Sequence, residues 1–285
     1  GIFSAILLVG GVVSILMHQG LNYGIDFRGG TNIQIRFKEV PNLDQLRNFF
    51  SEQNLGNVML QTFGAVEDRE ILLGLSVDNP LGTGEKLTAG LREMLQPNYP
   101  EMEIRRIETI GPKVGDELKT SALQAILIAL GLVLIYITFR FQWRQGIAAI
   151  ITLLHDVMVV VGIFSIFDKE FTLPVIAALL TVVGYSLNDT IVIFDRIREN
   201  ISKFRKRELL PLINQSVTET LSRTLLTSGT TLMVVLALVF LGGEIIHDFA
   251  FALLVGVLIG TYSSIYVASP TVLWLTKIAP PKTSD

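Results

Sequence analysis

Six long, mostly apolar runs set the terms on which this chain can fold: Ile2–Met17, Ser121–Phe139, Gly146–Phe167, Leu173–Phe194, Leu221–Leu241 and Phe249–Leu275. A hydrocarbon layer takes about 20 residues of helix to cross, and its backbone polar groups must pair within the segment because no water is there. The first run is shorter than the rest, and the chain opens inside it at Gly1, so a missing N-terminal portion is expected. A cleaved signal peptide is the alternative for this run. Nothing resembling a small-residue cleavage site follows Met17, which favours an uncleaved span. The expectation is an all-α bundle of six transmembrane helices.

Between the first and second runs the character changes. The chain is 50% hydrophobic with a mean hydropathy of +0.52, too apolar for a soluble protein of this length. Yet 17% of it is charged, too much for a chain wholly in lipid, and residues 19–119 read as a soluble insertion. Thr31–Phe37 alternates as a strand does, and Val58–Phe63, Glu70–Val77 and Glu103–Ile110 follow it as strands. Asn42–Gln53 and Gly84–Leu95 have helical spacing. The order β-α-β-β-α-β predicts an inserted α+β, ferredoxin-like domain. GIDFRGGT, with Asp26, Gly29 and Gly30, is its entry motif, read as a turn; Pro112 and the glycines of IGPKVG break regular structure at its exit. The expected segments are a first membrane helix at 1–18, the inserted domain at 19–119, five further membrane helices at 120–278 with a loop at 195–220, and a tail at 279–285.

Charge placement orients the spans. Arg140 and Arg144 lie in one short loop, and Arg196, Arg198, Lys203, Arg205, Lys206 and Arg207 in another; Lys277 and Lys282 lie in the tail. The loops on the opposite side carry Lys169 alone. Short basic loops stay in the cytoplasm, which places both termini inside and residues 19–119 outside.

Several function classes lose support. A net charge of −3 gives no basic surface for nucleic acid. The absence of cysteine removes disulfides and thiolate metal sites, and His18 and His247 at span edges form no ligand cluster, so no metal is expected. There is no P-loop for ATP, and no nucleophile–base pair in the inserted domain, so the chain is not expected to be an enzyme.

Ionisable groups inside spans are expensive and call for a reason. Tyr185, Asn188, Asp189, Val192 and Arg196 form a mostly polar stripe on the fourth run, and Arg223, Thr227, Thr230 and Thr231 a second on the fifth. The two carriers flank one loop, so Asp189 and Arg223 are expected within reach of each other. The reading is either a static ion pair or a carboxylate that loads and releases a proton. His155-Asp156 in the third run is a secondary candidate. Ala252, Gly256, Gly260, Ser264 and Ala268 recur every four residues, a face for close helix packing.

GIDFRGGT, IETIGPKVG, FRFQWR, LLHDV, VGYSLNDTIVIFDRIREN, SRTLLTSGTTLMV and GTYSSIYVASP resemble, in order, the SecF side of the SecD/SecF family of bacterial protein-export membrane subunits, in the resistance-nodulation-division superfamily. The match runs from about Gly24 to Pro270. The resemblance implies a multi-pass inner-membrane subunit with a periplasmic domain. Its partners would be SecD, the SecYEG channel, YajC, YidC, unfolded preprotein and lipid. It implies use of the proton-motive force for late preprotein translocation and release, with no cofactor beyond the coupling proton, sodium being the alternative ion. It assigns the proton path to Asp189, Arg223 and Thr227, together with an Asp from SecD. A small-molecule efflux subunit and a purely structural scaffold are the competing readings.

Overall fold

The computed structural model describes residues 1–53, 55, 58–63, 68–141, 143–204 and 208–278. Arg205, Lys206, Arg207, Lys282 and the expected tail at 279–285 lie outside them. Helix α1 spans Ile2–Met17, followed by the short α2 (Ile25–Arg28). The polar insertion then runs β1 (Gly30–Arg36), α3 (Leu43–Glu52), β2 (Val58–Phe63), β3 (Glu70–Leu75), α4 (Glu85–Leu95) and β4 (Glu103–Ile110). Helices α5 (Pro112–Arg140), α6 (Trp143–Ile166), α7 (Leu173–Lys203), α8 (Leu209–Leu241) and α9 (Glu244–Ser263) complete the bundle, with a π-helical turn at Ser264–Ala268 leading into α10 (Ser269–Ile278).

The four strands form one antiparallel sheet in the order β2-β3-β1-β4. In β1, Ile33 and Ile35 face inward while their neighbours stay half-exposed, the period of a sheet with one covered face. Leu46 and Phe50 of α3, with Leu87, Leu91 and Leu95 of α4, repeat at i, i+4 and close over that face with Leu73 and Leu75. The Asn42 side chain accepts from the Asp44 and Gln45 amides and caps α3.

Five helical stretches are long and apolar enough to cross a membrane: α5, α6, α7, α8 and the continuous run Ile246–Ile278. Helix α1 is apolar but has 16 residues. It lies against α6, where a Cβ built at Gly11 would sit 2.7 Å from Gly162 Cα; the Ser14 and Ser165 hydroxyls meet beside this crossing at 2.9 Å. Helix α6 buries about half of its apolar window and α7 somewhat less, while α5 and α8 leave most of theirs exposed. Lipid tolerates such exposed apolar side chains, since hydrocarbon gives no hydrophobic drive to hide them.

Three local expectations are corrected. GIDFRGGT is more than a turn: α2 forms inside it, and Gly29 (φ 74°) releases the chain into β1. A Cβ at Gly29 would meet Ile110 O at 3.0 Å, so the positive φ and the close approach both call for glycine there. Pro112 does not break structure; it occupies the first turn of α5, where its missing N–H costs nothing. The loop expected at 195–220 is largely helical, because α7 continues to Lys203 and α8 begins at Leu209. Asn200 holds the two extensions together, donating to Ser216 Oγ and Glu219 Oε2, both at 2.9 Å. Arg196 Nε adds a bond to Glu219 at 2.5 Å.

Candidate functional site

The inner helices bring two carboxylates into the bundle. Asp189 lies 16 residues into α7, about 24 Å along its axis, and is 3% exposed. Among the described residues it has one hydrogen bond, from Ser228 Oγ of α8 at 3.4 Å. Ser228 in turn accepts from Thr261 Oγ1 of α9 at 2.7 Å. Asp189 therefore sits at the junction of three helices with a single long bond to a hydroxyl. That single bond leaves most of the carboxylate's acceptor capacity unused among the described residues.

Asp156 of α6 is held differently. Its Oδ2 accepts from Ser186 Oγ of α7 at 2.5 Å and from Ser263 Oγ of α9 at 2.8 Å. Its Oδ1 lies 2.9 Å from His155 Nδ1. Three partners on three helices enclose the Asp156 carboxylate, although His155 Nε2 on its far side is buried without a partner among the described residues. Ser186 is one turn before Asp189 on α7, and Ser263 is two residues beyond Thr261 on α9, so the two carboxylate centres share both helices.

Arg223 lies on an exposed part of α8; it is near enough for its charge to act on the Asp189 carboxylate, but no ion pair joins the two among the described residues. The Thr227 hydroxyl donates to the Arg223 and Thr224 carbonyls of its own helix. Of the α7 stripe, Asn188 is exposed, Tyr185, Val192 and Arg196 are half-buried, and only Asp189 is buried. The face of α8 turned inward is Ser216, Thr220, Thr224 and Ser228, a four-residue period of hydroxyls rotated away from the Arg223 stripe. That period is visible in the sequence and would have pointed to Ser228. On the same two helices, the hydroxyls of Tyr185 and Thr190 of α7 and Thr224 of α8 are buried without hydrogen-bond partners among the described residues.

On α9 and beyond, the small residues pack as close contacts. A Cβ at Gly256 would run into the Val182 side chain, and one at Gly260 would lie 3.0 Å from Ser186 Cβ. Ser264, fully buried, opens the π-helical turn. Asp26, Gly29 and Gly30 gather where the sheet meets the bundle: Asp26 Oδ2 accepts from the Leu173 amide of α7 at 2.9 Å.

Family comparison agrees along the chain. Residues 91–278 match the model described as protein export membrane protein SecD/SecF, C-terminal, and residues 14–39 match the SecD/SecF GG motif. A protein translocase subunit SecF from Desulfurispirillum indicum is 49% identical over 93% of this chain and 85% of its own length. One from Vibrio alginolyticus is 46% identical over 95% of this chain and 85% of its own length. The crystal structure of SecDF, a translocon-associated membrane protein from Thermus thermophilus, superposes with a TM-score of 0.83 at 39% identity. It covers 96% of this chain, which spans 37% of that longer one.

Proposed function

This chain belongs to the SecD/SecF family of protein-export membrane proteins, and from that premise we propose that it is a SecF-type accessory subunit of the Sec translocase. In this reading it works with SecD beside the SecYEG channel and uses the proton-motive force to promote late preprotein movement and release. Counting α1 gives six spans. The sheet with its two covering helices is a ferredoxin-like domain on the periplasmic side, and both termini are cytoplasmic.

The observation that carries the reading is Asp189: a carboxylate deep in a span, nearly fully buried, with one 3.4 Å hydrogen bond. A static structural carboxylate is expected to be enclosed by donors, as Asp156 is. Asp189 instead has one long bond, and its own helix carries buried Tyr185 and Thr190 hydroxyls without partners among the described residues, which suits a group that gains and loses a proton with water or a partner helix completing the site. Arg223, exposed on α8 and still within electrostatic range of Asp189, is available to an acidic group from SecD. Thr227 sits one turn along on the same helix, and Asp156 is the positioned neighbour that keeps α6, α7 and α9 in register around the exchange site.

Membrane vesicles containing SecD, SecYEG and a stalled preprotein test this. Completion of translocation is compared with and without a proton gradient for wild type and Asp189→Asn, with assembly checked by co-purification. Asn fills the same volume and cannot load a proton. Assembly with loss of the gradient-dependent step is the expected result. An assembled variant that responds as wild type refutes the assignment, and Asp189 is then a scaffold residue.

A further inference from the structure

Helix α7 has no N-cap of its own. Thr172 precedes it with an extended backbone and no capping side-chain bond. The Leu173 amide, one of the donors a helix start leaves unpaired, instead goes to Asp26, 147 residues earlier in the chain. The segments on either side are stitched as well. Phe171 N donates to Asn22 O at 2.7 Å, Gly24 N donates to Phe171 O at 3.0 Å, and Asn22 Nδ2 donates to Asp168 O at 3.2 Å. Tyr23 and Phe171 form a parallel bridge. Gly24 lies so close that a Cβ there would sit 2.8 Å from Thr172 Cγ2.

Asp26 itself stands on α2, which passes through Gly29 and Gly30 directly into β1, an interior strand of the sheet. A Cβ built at Gly115 would lie 2.9 Å from Phe27 O, so the start of α5 presses on α2 from behind. From the sheet to α7 there is thus one short path of main chain and hydrogen bonds. At its far end α7 carries Asp189.

We propose that Asp26 is a positioning residue for the gradient-driven step: by capping α7 from the entry of the outer domain, it makes the sheet and the Asp189 helix move as one. This rests on the reading of Asp189 given above. A cap merely needed for stability can be supplied from anywhere. A tie must come from the other body. The two roles separate in one pair of variants. Asp26→Ala removes the cap and the side-chain bond of the tie, and leaves the backbone bonds at Phe171 in place. Adding Thr172→Asp returns a cap to α7 from its own N-cap position, through the Val175 amide, without restoring the bond to Asp26.

The test uses the complex with SecD in proteoliposomes. The chain has no cysteine, so Glu93→Cys on α4 and Leu241→Cys at the outer end of α8, both exposed, place one spin label on each body of this subunit. Wild type is expected to change its inter-label distance when a gradient is imposed. Asp26→Ala is expected to lose that change, with Leu173 amide exchange about fivefold faster, the weight of one cap. Asp26→Asn keeps an acceptor oxygen and is expected to keep the response. The double variant Asp26→Ala/Thr172→Asp, whose new cap accepts from the Val175 amide, is expected to recover the unfolding temperature lost in Asp26→Ala but not the distance change, nor gradient-driven translocation.

Recovery of the distance change in the double variant overturns the proposal, because Asp26 is then only a cap. An intact response in Asp26→Ala overturns it too, as does a wild type without any distance change. Should Asp26→Ala fail to fold, the double variant carries the decision alone. Retention of the response by Asp189→Asn defeats the proton-site reading instead, and leaves the Asp26 comparison standing.

Discussion

The two buried carboxylates look alike in the sequence and differ in their partners, and that difference predicts opposite responses to substitution. Asp156 accepts from Ser186 and Ser263 and meets His155. Asp156→Ala strands the buried Ser186 hydroxyl and the His155 ring, while Ser263 keeps the Gly260 carbonyl; the cost is about 1–3 kcal/mol, and a lower unfolding temperature of the purified complex is expected. Asp189 has a single 3.4 Å bond, and an interhelical hydrogen bond in a bundle contributes only about 0.6 kcal/mol. Asp189→Ala is therefore expected to leave the unfolding temperature unchanged or raised while abolishing the gradient response. Thermal unfolding of the two variants in detergent checks both, and a larger loss for Asp189 than for Asp156 contradicts the assignment. Asp189 and Asp156 were legible in the sequence because an acid inside an apolar run needs no structure to stand out. Ser228 was not singled out, since a serine inside a span is unremarkable until its helix is rotated into place. The Arg223 stripe was chosen because it held the charge, and the inward face of α8 was its uncharged neighbour.

Between helices, contact distance decides. Gly256 and Gly260 let α9 lie on α7 at Val182 and Ser186, and the same contact positions Thr261 and Ser263 for their bonds. Gly256→Ala drives its new methyl into Val182, and overpacking of this kind costs about 1–3 kcal/mol. Val182→Ala in the same chain frees the space. The double variant is expected to recover most of the loss, a coupling that a double-mutant cycle of unfolding free energies measures; strict additivity removes the contact from the account. The small-residue period on α9 was readable because four-residue spacing needs only one helix. The Gly11–Gly162 crossing was not, because each glycine is isolated in its own run and only the fold pairs them. Strands and helices of the polar insertion were legible to within a few residues, since period 2 and period 3.6 are local. Helix α2 escaped: a single turn inside GIDFRGG has too few residues to show any period.

Across the whole molecule, the sheet and the bundle meet at a cavity of about 170 Å³ lined by Asp26, Asn32, Gln61, Thr172, Glu170 and Asp248, among others. Glu170 is the group whose proton matters there. Burial first, and then the nearby Asp248, push its carboxyl up to about 7; Arg28 pulls the other way, and Asp26 and Asp168 add to the rise. Of the further charges facing it, Lys169 is taken up by Asp248 at 2.6 Å, and His247 lies beside that pair. When α9, which carries Asp248, parts from the sheet and its tied α7, Glu170 regains water and its ordinary value of 4.5. The docked state thus binds the proton more tightly than the open one. Its contribution to docking is complete below 4.5 and fades as pH rises through about 7. The expected outcome is a docked fraction, read from spin labels at positions 93 and 241, that grows as the outer medium is brought from about pH 8 to about pH 6. Glu170→Gln, neutral throughout, is expected to stay docked across that range with a flat profile. A wild type as flat as the variant removes Glu170 from the control of docking, whereas a slope confined to wild type makes the acidified outer compartment itself a force that closes the sheet onto the bundle.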